Sequence, residues 1–415
     1  METMSTQIVS RLVRMTGRDP AESHRGATPL ELLFDLAFVL AIGQAADSFA
    51  HLLAEGHIAS ALGGFAIAMS SICWAWINVT WFASAYDTDD WYYRLLTMVQ
   101  LIGVVVLALG IPALFESIDN GEHVNNQLVV VGYVVMRIAL VAQWLRAARQ
   151  DPERRATAIA YAKLVSIAQV GWLACAFIPL DFWPTLVFAG VLFAVEMTVP
   201  PIAERKSSGT PWHPHHMAER YGLLTIIALG EGIFGTVAGV SAIVESQGWS
   251  LEAVLVIVAG VGLTFGLWWT YFIVDTGAVL AMHRKRLWGF GYGHILVFMA
   301  VAGTGAGLHV AAYVIEEHSE LGTLGAVLSV AIPVAVFCGT VFGLYLYLTR
   351  FFDTLHVWLM SAATGVILIA IACAVLGASI GWCLIVLMLA PAMIVVGYET
   401  VGHRHAAEAH AAVRS

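Results

Sequence analysis

Apolar residues in this chain come in twelve long runs that short polar segments separate. The runs cover 30–53, 58–81, 94–115, 125–147, 157–179, 183–199, 221–241, 250–274, 288–315, 323–349, 354–376 and 379–398. An α-helix needs about 20 such residues to cross a hydrocarbon layer ~30 Å thick. Because lipid offers no hydrogen-bond partner to backbone groups, we expect these runs to be helical. The pattern predicts an all-α integral membrane protein with about twelve transmembrane helices.

The composition supports the same class. Hydrophobic residues make up 59% of the chain and charged residues 12%, against about 45–50% and about 25% in soluble domains. The five cysteines lie inside apolar runs, and their spacing fits neither a disulfide framework nor a zinc site. No basic stripe with interleaved aromatic residues is present, so we expect no nucleic-acid partner.

Lysine and arginine are distributed unevenly among the connections between the runs. If the N-terminus faces the cytoplasm, 19 of the 20 basic residues lie on the cytoplasmic side, and the exception is Arg137. The opposite connections contain no lysine or arginine, and their charged residues are acids such as Glu55, Asp119 and Glu316. This asymmetry predicts cytoplasmic N- and C-termini. Residues 1–28 lack an apolar signal core, so we expect no cleaved signal peptide.

The two halves of the chain resemble each other. A shift of 188 positions aligns Glu31 with Glu219, Leu36 with Leu224, Trp81 with Trp269, Asp87 with Asp275, and Thr88 with Thr276. Six spans per half give both halves the same orientation, which predicts two parallel six-helix repeats. The expected segments are an N-terminal segment 1–28, repeats 29–200 and 219–399, a linker 201–218 and a tail 400–415.

Two charged residues stand near the middle of apolar runs, where charge is costly and often functional. Glu231 lies between Gly230 and Gly232, and flanking glycines allow another backbone to approach. Glu231 is interpreted either as a functional carboxylate or as one member of a buried structural pair. Arg137 stays charged, so we expect it to pair with Asp35 or Glu231, as a structural clamp or in gating or anion binding.

The first run contains several polar residues. Glu31 and Asp35 are four residues apart and share a helix face. Glu31 follows Pro29 and suits the first turn of a helix, which makes Asp35 the stronger functional candidate. Gln44 and Asp47 add polar groups further along.

Histidines and further acids supply weaker candidates. His294 and His309 are fifteen residues apart on one helix face and are interpreted either as a proton relay or as packing histidines. The segment His213-Pro214-His215-His216, followed by Glu219, has ligand types for a metal but not the spacing of a known site, so no metal or other cofactor is predicted. Glu196 is interpreted as an interfacial acid, and Asp87 and Asp275 as solvated acids or caps of a shared vestibule.

Two segments carry a family resemblance: Pro29-Leu30-Glu31-Leu32-Leu33-Phe34-Asp35-Leu36-Ala37-Phe38-Val39, and His216-Met217-Ala218-Glu219-Arg220-Tyr221-Gly222-Leu223-Leu224-Thr225-Ile226-Ile227-Ala228-Leu229-Gly230-Glu231. They resemble the bacterial low-temperature-requirement protein A family. The resemblance implies a multi-pass inner-membrane protein and singles out Glu31, Phe34, Asp35, His216, Glu219, Arg220, Gly230 and Glu231. Where many relatives have Ser after the Gly-Glu pair, this chain has Gly232, so a hydroxyl role does not carry over.

Three function classes compete. The first is a transporter or channel for an ion or small solute, and in one form of it Glu231 or Asp35 couples transport to protons. Further candidates for residues along the pathway are Arg137, Glu31, Gln44, Glu219, His294 and His309. The second is a membrane scaffold or stress-response protein whose buried charges are structural. An enzyme ranks last, because no nucleophile–base pair or phosphate-binding loop is present. Membrane lipids are expected partners, and the sequence is compatible with a homo-oligomer.

Overall fold

The computed structural model describes residues 12–22, 25–350, 352 and 354–402. Parts of the predicted N-terminal segment and tail, including Arg11, Arg404 and Arg414, lie outside the described residues.

The apolar runs are helical throughout. The helices are α1 (Pro29–Ala54), α2 (Ile58–Tyr86), α3 (Trp91–Asn120), α4 (Gln127–Gln150), α5 (Arg155–Phe177), α6 (Phe182–Ala203), α7 (Pro214–Gln247), α8 (Leu251–Phe272), the short α9 (Thr276–Met282), α10 (Leu287–Ile315), α11 (Thr323–Thr349), α12 (Thr354–Val375) and α13 (Ile380–Gly397). A 3₁₀ turn, Arg284–Arg286, precedes α10, and a π-helical turn, Tyr398–Gly402, follows α13. Twelve stretches of the described chain are long and apolar enough to cross a membrane. The predicted all-α class and its twelve spans are confirmed.

Two helices begin well before the apolar runs that predicted them. α3 starts at Trp91, where the Asp90 side chain accepts a hydrogen bond from the Tyr93 backbone N–H. α7 starts at Pro214, and the His213 ring nitrogen accepts from the His216 N–H, at 3.2 Å. The first turn of α3 is aromatic apart from Arg94, and that of α7 contains two histidines. Hydropathy indicates depth in lipid, whereas these caps fix where the helix begins.

The chain forms two compact units. The first comprises Met1–Ala41 and Trp74–Met217, and the second comprises Ile42–Cys73 and Ala218–Ser415. The helices α1, α2 and α7 therefore each contribute residues to both units.

In the first unit, small residues bring α3 and α4 together. A β-carbon on Gly132 would lie 2.3 Å from the Leu107 backbone nitrogen, so only glycine fits there. The same two helices share a buried hydrogen bond of 3.0 Å from Gln100 to Gln143. Further toward the end of α4, Trp144 stacks on Tyr161 of α5 with ring centroids 4.2 Å apart.

In the second unit, α10 is the most buried span. Its Gly305 and Gly307 lie against backbone atoms of α7 and α11, where a β-carbon would come within 2.5 Å and 2.3 Å of them. The acid Glu252 of α8 accepts hydrogen bonds from Ser379 and from the Gly381 N–H, at 2.7 and 2.6 Å. This acid satisfies donors at the start of α13.

Candidate functional site

Glu231 is the most unusual charged residue of the second unit. It lies in the middle of α7 with 5% of its surface exposed. Among the described residues, no group donates a hydrogen bond to its carboxylate. An isolated buried carboxylate costs several kcal/mol or more, so proteins normally pair it. The described residues therefore supply no hydrogen-bond partner to the Glu231 carboxylate.

Two glycines form the space around Glu231. A β-carbon on Gly43 of α1 would lie 3.2 Å from Oε1 of Glu231, so the carboxylate lies over the bare backbone of that residue. A β-carbon on Gly305 of α10 would lie 2.5 Å from the carbonyl carbon of Glu231. The backbones of α7 and α10 meet at this level, and the missing side chain at position 43 leaves room beside the acid.

Asp47 and His309 complete what we call the acid–histidine cluster, which consists of Glu231, Asp47 and His309. Asp47 lies one turn after Gly43 on α1, and its charge acts on both other members. The Asp47 side chain is exposed. Nε2 of His309 is buried, and it has no hydrogen-bond partner among the described residues. Carboxylates and an imidazole are side chains that can exchange protons, and a carboxylate attracts cations.

The structure separates the two histidines predicted as a relay. His294 has both ring nitrogens engaged, one with the Tyr271 hydroxyl at 2.8 Å and one with the Phe290 carbonyl oxygen at 2.7 Å. It is a packing histidine, which was the alternative interpretation. His309 belongs to the acid–histidine cluster, and the predicted Gln44 is half-buried next to Gly43.

Arg137 belongs to a closed polar network in the first unit. Its Nη2 donates to the Tyr133 hydroxyl, and that hydroxyl donates to Oε2 of Glu196. Gln169 donates to the other oxygen of Glu196 at 2.9 Å. The guanidinium also lies 4.4 Å above the Tyr133 ring centroid. The network joins α4, α5 and α6.

Two predictions about this network were wrong. Arg137 does not pair with Asp35 or Glu231, because the Tyr133 hydroxyl, one turn earlier on the same helix, accepts a hydrogen bond from Arg137 and donates one to Glu196. Glu196 is not interfacial, since α6 continues for two more turns to Ala203 and leaves this acid 3% exposed. The signal that sequence reasoning missed was Gln169, a polar residue inside an apolar run.

Asp35 and Glu31 occupy different environments in the first unit. Asp35 is fully buried and accepts a 2.7 Å hydrogen bond from the Trp76 indole. Glu31 accepts from the Thr28 N–H at 2.8 Å, while Thr28 accepts from the Glu31 N–H at 3.3 Å. This reciprocal capping box supports the structural interpretation of Glu31. Glu31 also lies 3.0 Å from the His216 ring.

The remaining predicted residues divide between buried and exposed. Glu219 is exposed on α7, and Arg220 beside it is buried. Asp275 is exposed and caps α9 by accepting from the Ala278 N–H. Asp87 is buried, so the prediction of a solvated acid was wrong for it.

Asp87 lies in a buried polar pocket with Arg25, which donates to the Ala83 carbonyl oxygen at 2.7 Å. Burial raises the pKa of Asp87 to about 6, and the nearby Glu31 charge adds to the rise. The pKa of Arg25 is lowered by burial.

His213 and His216 both take part in hydrogen bonds near the start of α7. The His213 ring bonds to the Glu22 carbonyl oxygen at 2.8 Å and caps α7, and burial lowers its pKa. Over the described part of the chain, no group of three histidine, cysteine or acidic side chains is arranged to hold a metal ion.

Comparison with known proteins identifies the family to which the chain belongs. The family model of the bacterial low temperature requirement A protein (LtrA) matches residues 26–391. The chain belongs to the LtrA family. The match contains α1 through most of α13, and with them the acid–histidine cluster and the Arg137 network.

One curated protein is similar to part of the chain. The uncharacterized protein RA0937 of Rhizobium meliloti (strain 1021) is 27% identical over 250 residues, which is 58% of this chain and 57% of that protein. The chain thus matches little more than half the length of this relative. No solved structure matches the chain. Family membership and the twelve apolar helices establish a multi-pass membrane protein.

Proposed function

We propose that this LtrA-family protein is a transporter or channel of the bacterial inner membrane, which moves an ion or small solute with Glu231 as the ion- or proton-exchanging group. The observation that supports the proposal is the Glu231 carboxylate, buried in α7 with no hydrogen bond from the described residues. A permanently unpaired charge at this depth is costly. A proton or cation that binds and leaves would satisfy it.

The neighbours of Glu231 favour a positively charged occupant. Asp47 places a second negative charge near it, and two carboxylates repel when both are ionised. A proton or cation between them relieves the repulsion. His309 offers an unpartnered ring nitrogen in the same cluster, which can accept a proton or contact a hydrated ion.

Reconstituted protein tests the proposal. Proton flux is measured in liposomes under an imposed pH gradient, and cation flux under Na⁺ or K⁺ gradients. We expect Glu231→Gln to lower the flux by at least about tenfold, equivalent to ~1.4 kcal/mol of barrier. The control is Glu245→Gln, because Glu245 is an exposed acid on the same helix. Wild-type flux in a folded Glu231→Gln protein would refute the assigned role.

The Arg137 network favours a second candidate, a non-transporting scaffold. In that network the guanidinium, the tyrosine hydroxyl and the glutamate satisfy one another and join three helices. A scaffold predicts that wild-type liposomes show no flux above empty ones for protons or cations. It also predicts that Arg137→Leu prevents folding, while Glu231→Gln changes nothing measurable.

A further inference from the structure

A largely apolar cavity lies in the second unit among α8, α10, α11, α12 and α13. About 840 Å³ of space lies among its lining residues, and this figure includes open solvent outside the cavity. Most of the lining is aliphatic or aromatic, as with Val341, Leu344, Leu359 and Ile394. None of the described lining residues is acidic. The cavity is therefore suited to a hydrocarbon chain.

One end of the lining lies where these helices begin or end. It includes Val274 just after α8, Thr349 at the end of α11 and Tyr398 just after α13. The α10 and α12 residues in the lining come from the first two turns of those helices. All of these termini lie on one side of the predicted membrane, which places this end of the cavity near the lipid headgroups.

Basic residues cluster at the same helix ends. Arg284, Lys285 and Arg286 form the 3₁₀ turn before α10, and Arg350 ends α11. Three of the four side chains are exposed, and Arg286 is half-buried. Arg286 donates to the carbonyl oxygen of Leu348, a residue that lines the cavity. This bond holds the basic turn against the cavity wall.

One wall of the cavity is flat and aromatic. The His356 ring stacks on Phe342 and on Tyr345, with centroids 5.6 and 4.7 Å apart. All three residues line the cavity. A stacked wall of this kind accepts the flat side of an extended acyl chain without needing hydrogen bonds.

We propose that this cavity binds an anionic phospholipid of the adjoining leaflet, with an acyl chain inside and the phosphate at the basic turn. Anionic headgroups are attracted by clustered Lys and Arg at the membrane surface, and basic pockets between helices bind them. A zwitterionic lipid with the same chains offers the same apolar contact but no net charge. The headgroup thus sets the preference, and the cavity sets the need for a chain.

Native mass spectrometry of the detergent-purified full chain tests this proposal. Phosphatidylglycerol and phosphatidylcholine with identical chains are titrated, and inorganic phosphate is added as a competitor. We expect about a tenfold preference for phosphatidylglycerol and no competition from phosphate. Displacement of the lipid by phosphate, or equal binding of the two lipids, would overturn the proposal.

Two variants separate the headgroup from the chain. The double variant Lys285→Gln with Arg350→Asn removes two charges, and Asn suits the left-handed backbone at position 350, where φ is 54°. Its matched control is Arg205→Asn with Lys206→Gln, an exposed pair in the first unit. We expect only the first variant to lose the preference. Equal loss in the control would mean that overall charge, not this site, attracts the lipid.

The second variant, Val341→Phe, fills the cavity. We expect it to weaken the binding of both lipids while the preference for phosphatidylglycerol is kept among molecules that still bind. A folded Val341→Phe protein, monodisperse on size exclusion, that binds phosphatidylglycerol like wild type would show that the lipid stays on the surface, and would overturn the proposal.

Discussion

At the residue scale, the buried charges of this protein differ in whether the chain itself satisfies them. Arg137 and Glu196 are joined through the Tyr133 hydroxyl, and Gln169 occupies the other carboxylate oxygen. Glu231 has no such partner among the described residues. The first arrangement is typical of a structural clamp, and the second of a site that exchanges its occupant.

The clamp makes a prediction about stability. Removing one member leaves the other charge buried and uncompensated, so Arg137→Met or Glu196→Gln should each cost about 3–5 kcal/mol. The double variant should cost less than the sum, because neither charge then remains. Denaturant unfolding in detergent micelles measures all four proteins of this cycle. Strictly additive costs would show that the relay through Tyr133 carries no coupling.

The sequence shows where the polar residues lie in depth but not which of them meet. Spacing places Tyr133 and Arg137 on one face of α4, so their contact was predictable. The partner across the interface, Glu196, depends on how α6 is rotated, which no spacing reveals. For the same reason the effect of Asp47 on both Glu231 and His309 was not predictable, although the last two were candidates.

At the element scale, close helix contacts surround Glu231, and they predict different outcomes for two glycines. Gly43→Ala adds a methyl 3.2 Å from the carboxylate oxygen, which a small side-chain shift relieves. Gly305→Ala adds one 2.5 Å from the α7 backbone, so a helix must move. We expect Gly43→Ala to fold and to lower flux, and Gly305→Ala to lose about 1–3 kcal/mol of stability.

The control for both glycines is Gly230→Ala. A β-carbon there meets nothing within 4 Å, so stability should be unchanged or higher, since alanine favours helix by ~1 kcal/mol. Thermal unfolding and flux are measured for all three variants. A Gly305→Ala protein as stable as Gly230→Ala would mean that α7 and α10 are further apart than described.

Helices were the most predictable part of the fold, because lipid penalises polar residues and so marks each span. Their ends were less predictable, as the first turns of α3 and α7 show. One contact involves the same residue types in both halves of the chain. Trp81 donates to Glu204 in the first unit and Trp269 donates to Glu399 in the second, at 3.3 and 3.1 Å. The tryptophans are 188 positions apart but the acids 195, so an ungapped shift missed the acids.

At the scale of the whole molecule, Asp87 makes stability depend on pH. Its pKa rises from 3.8 to about 6 on folding, so the folded state holds a proton that the unfolded state has already released. The free energy of unfolding should therefore fall by about 3 kcal/mol as pH rises from about 4 to about 6, and this contribution should then stay constant. Asp87→Asn should remove this fall.

The matched control for the pH dependence is Asp275→Asn, because Asp275 is exposed at the aligned position of the other half. Unfolding at several pH values between 4 and 8 is compared for the three proteins. An unchanged slope in Asp87→Asn, or an equal change in Asp275→Asn, would assign the dependence to other groups.

Orientation is the other property of the whole molecule that can be measured directly. Glu122 and Glu153 are exposed residues in connections that we predict on opposite sides. The five native cysteines are buried or half-buried, which limits background labelling. We expect a membrane-impermeant maleimide to label Glu122→Cys in intact spheroplasts and Glu153→Cys only after lysis. The reverse order would place the termini outside.

Because α1 and α2 each contribute residues to both compact units, cutting the gene into two pieces affects the two units differently. A gene cut after Met217 would encode, in its first piece, every residue of the first unit. The second piece would lack Ile42–Cys73, and with it Gly43 and Asp47 beside Glu231. When the two pieces are expressed separately, we therefore expect the first to accumulate on its own. We expect the second to accumulate only when its missing segment is supplied in the same cell.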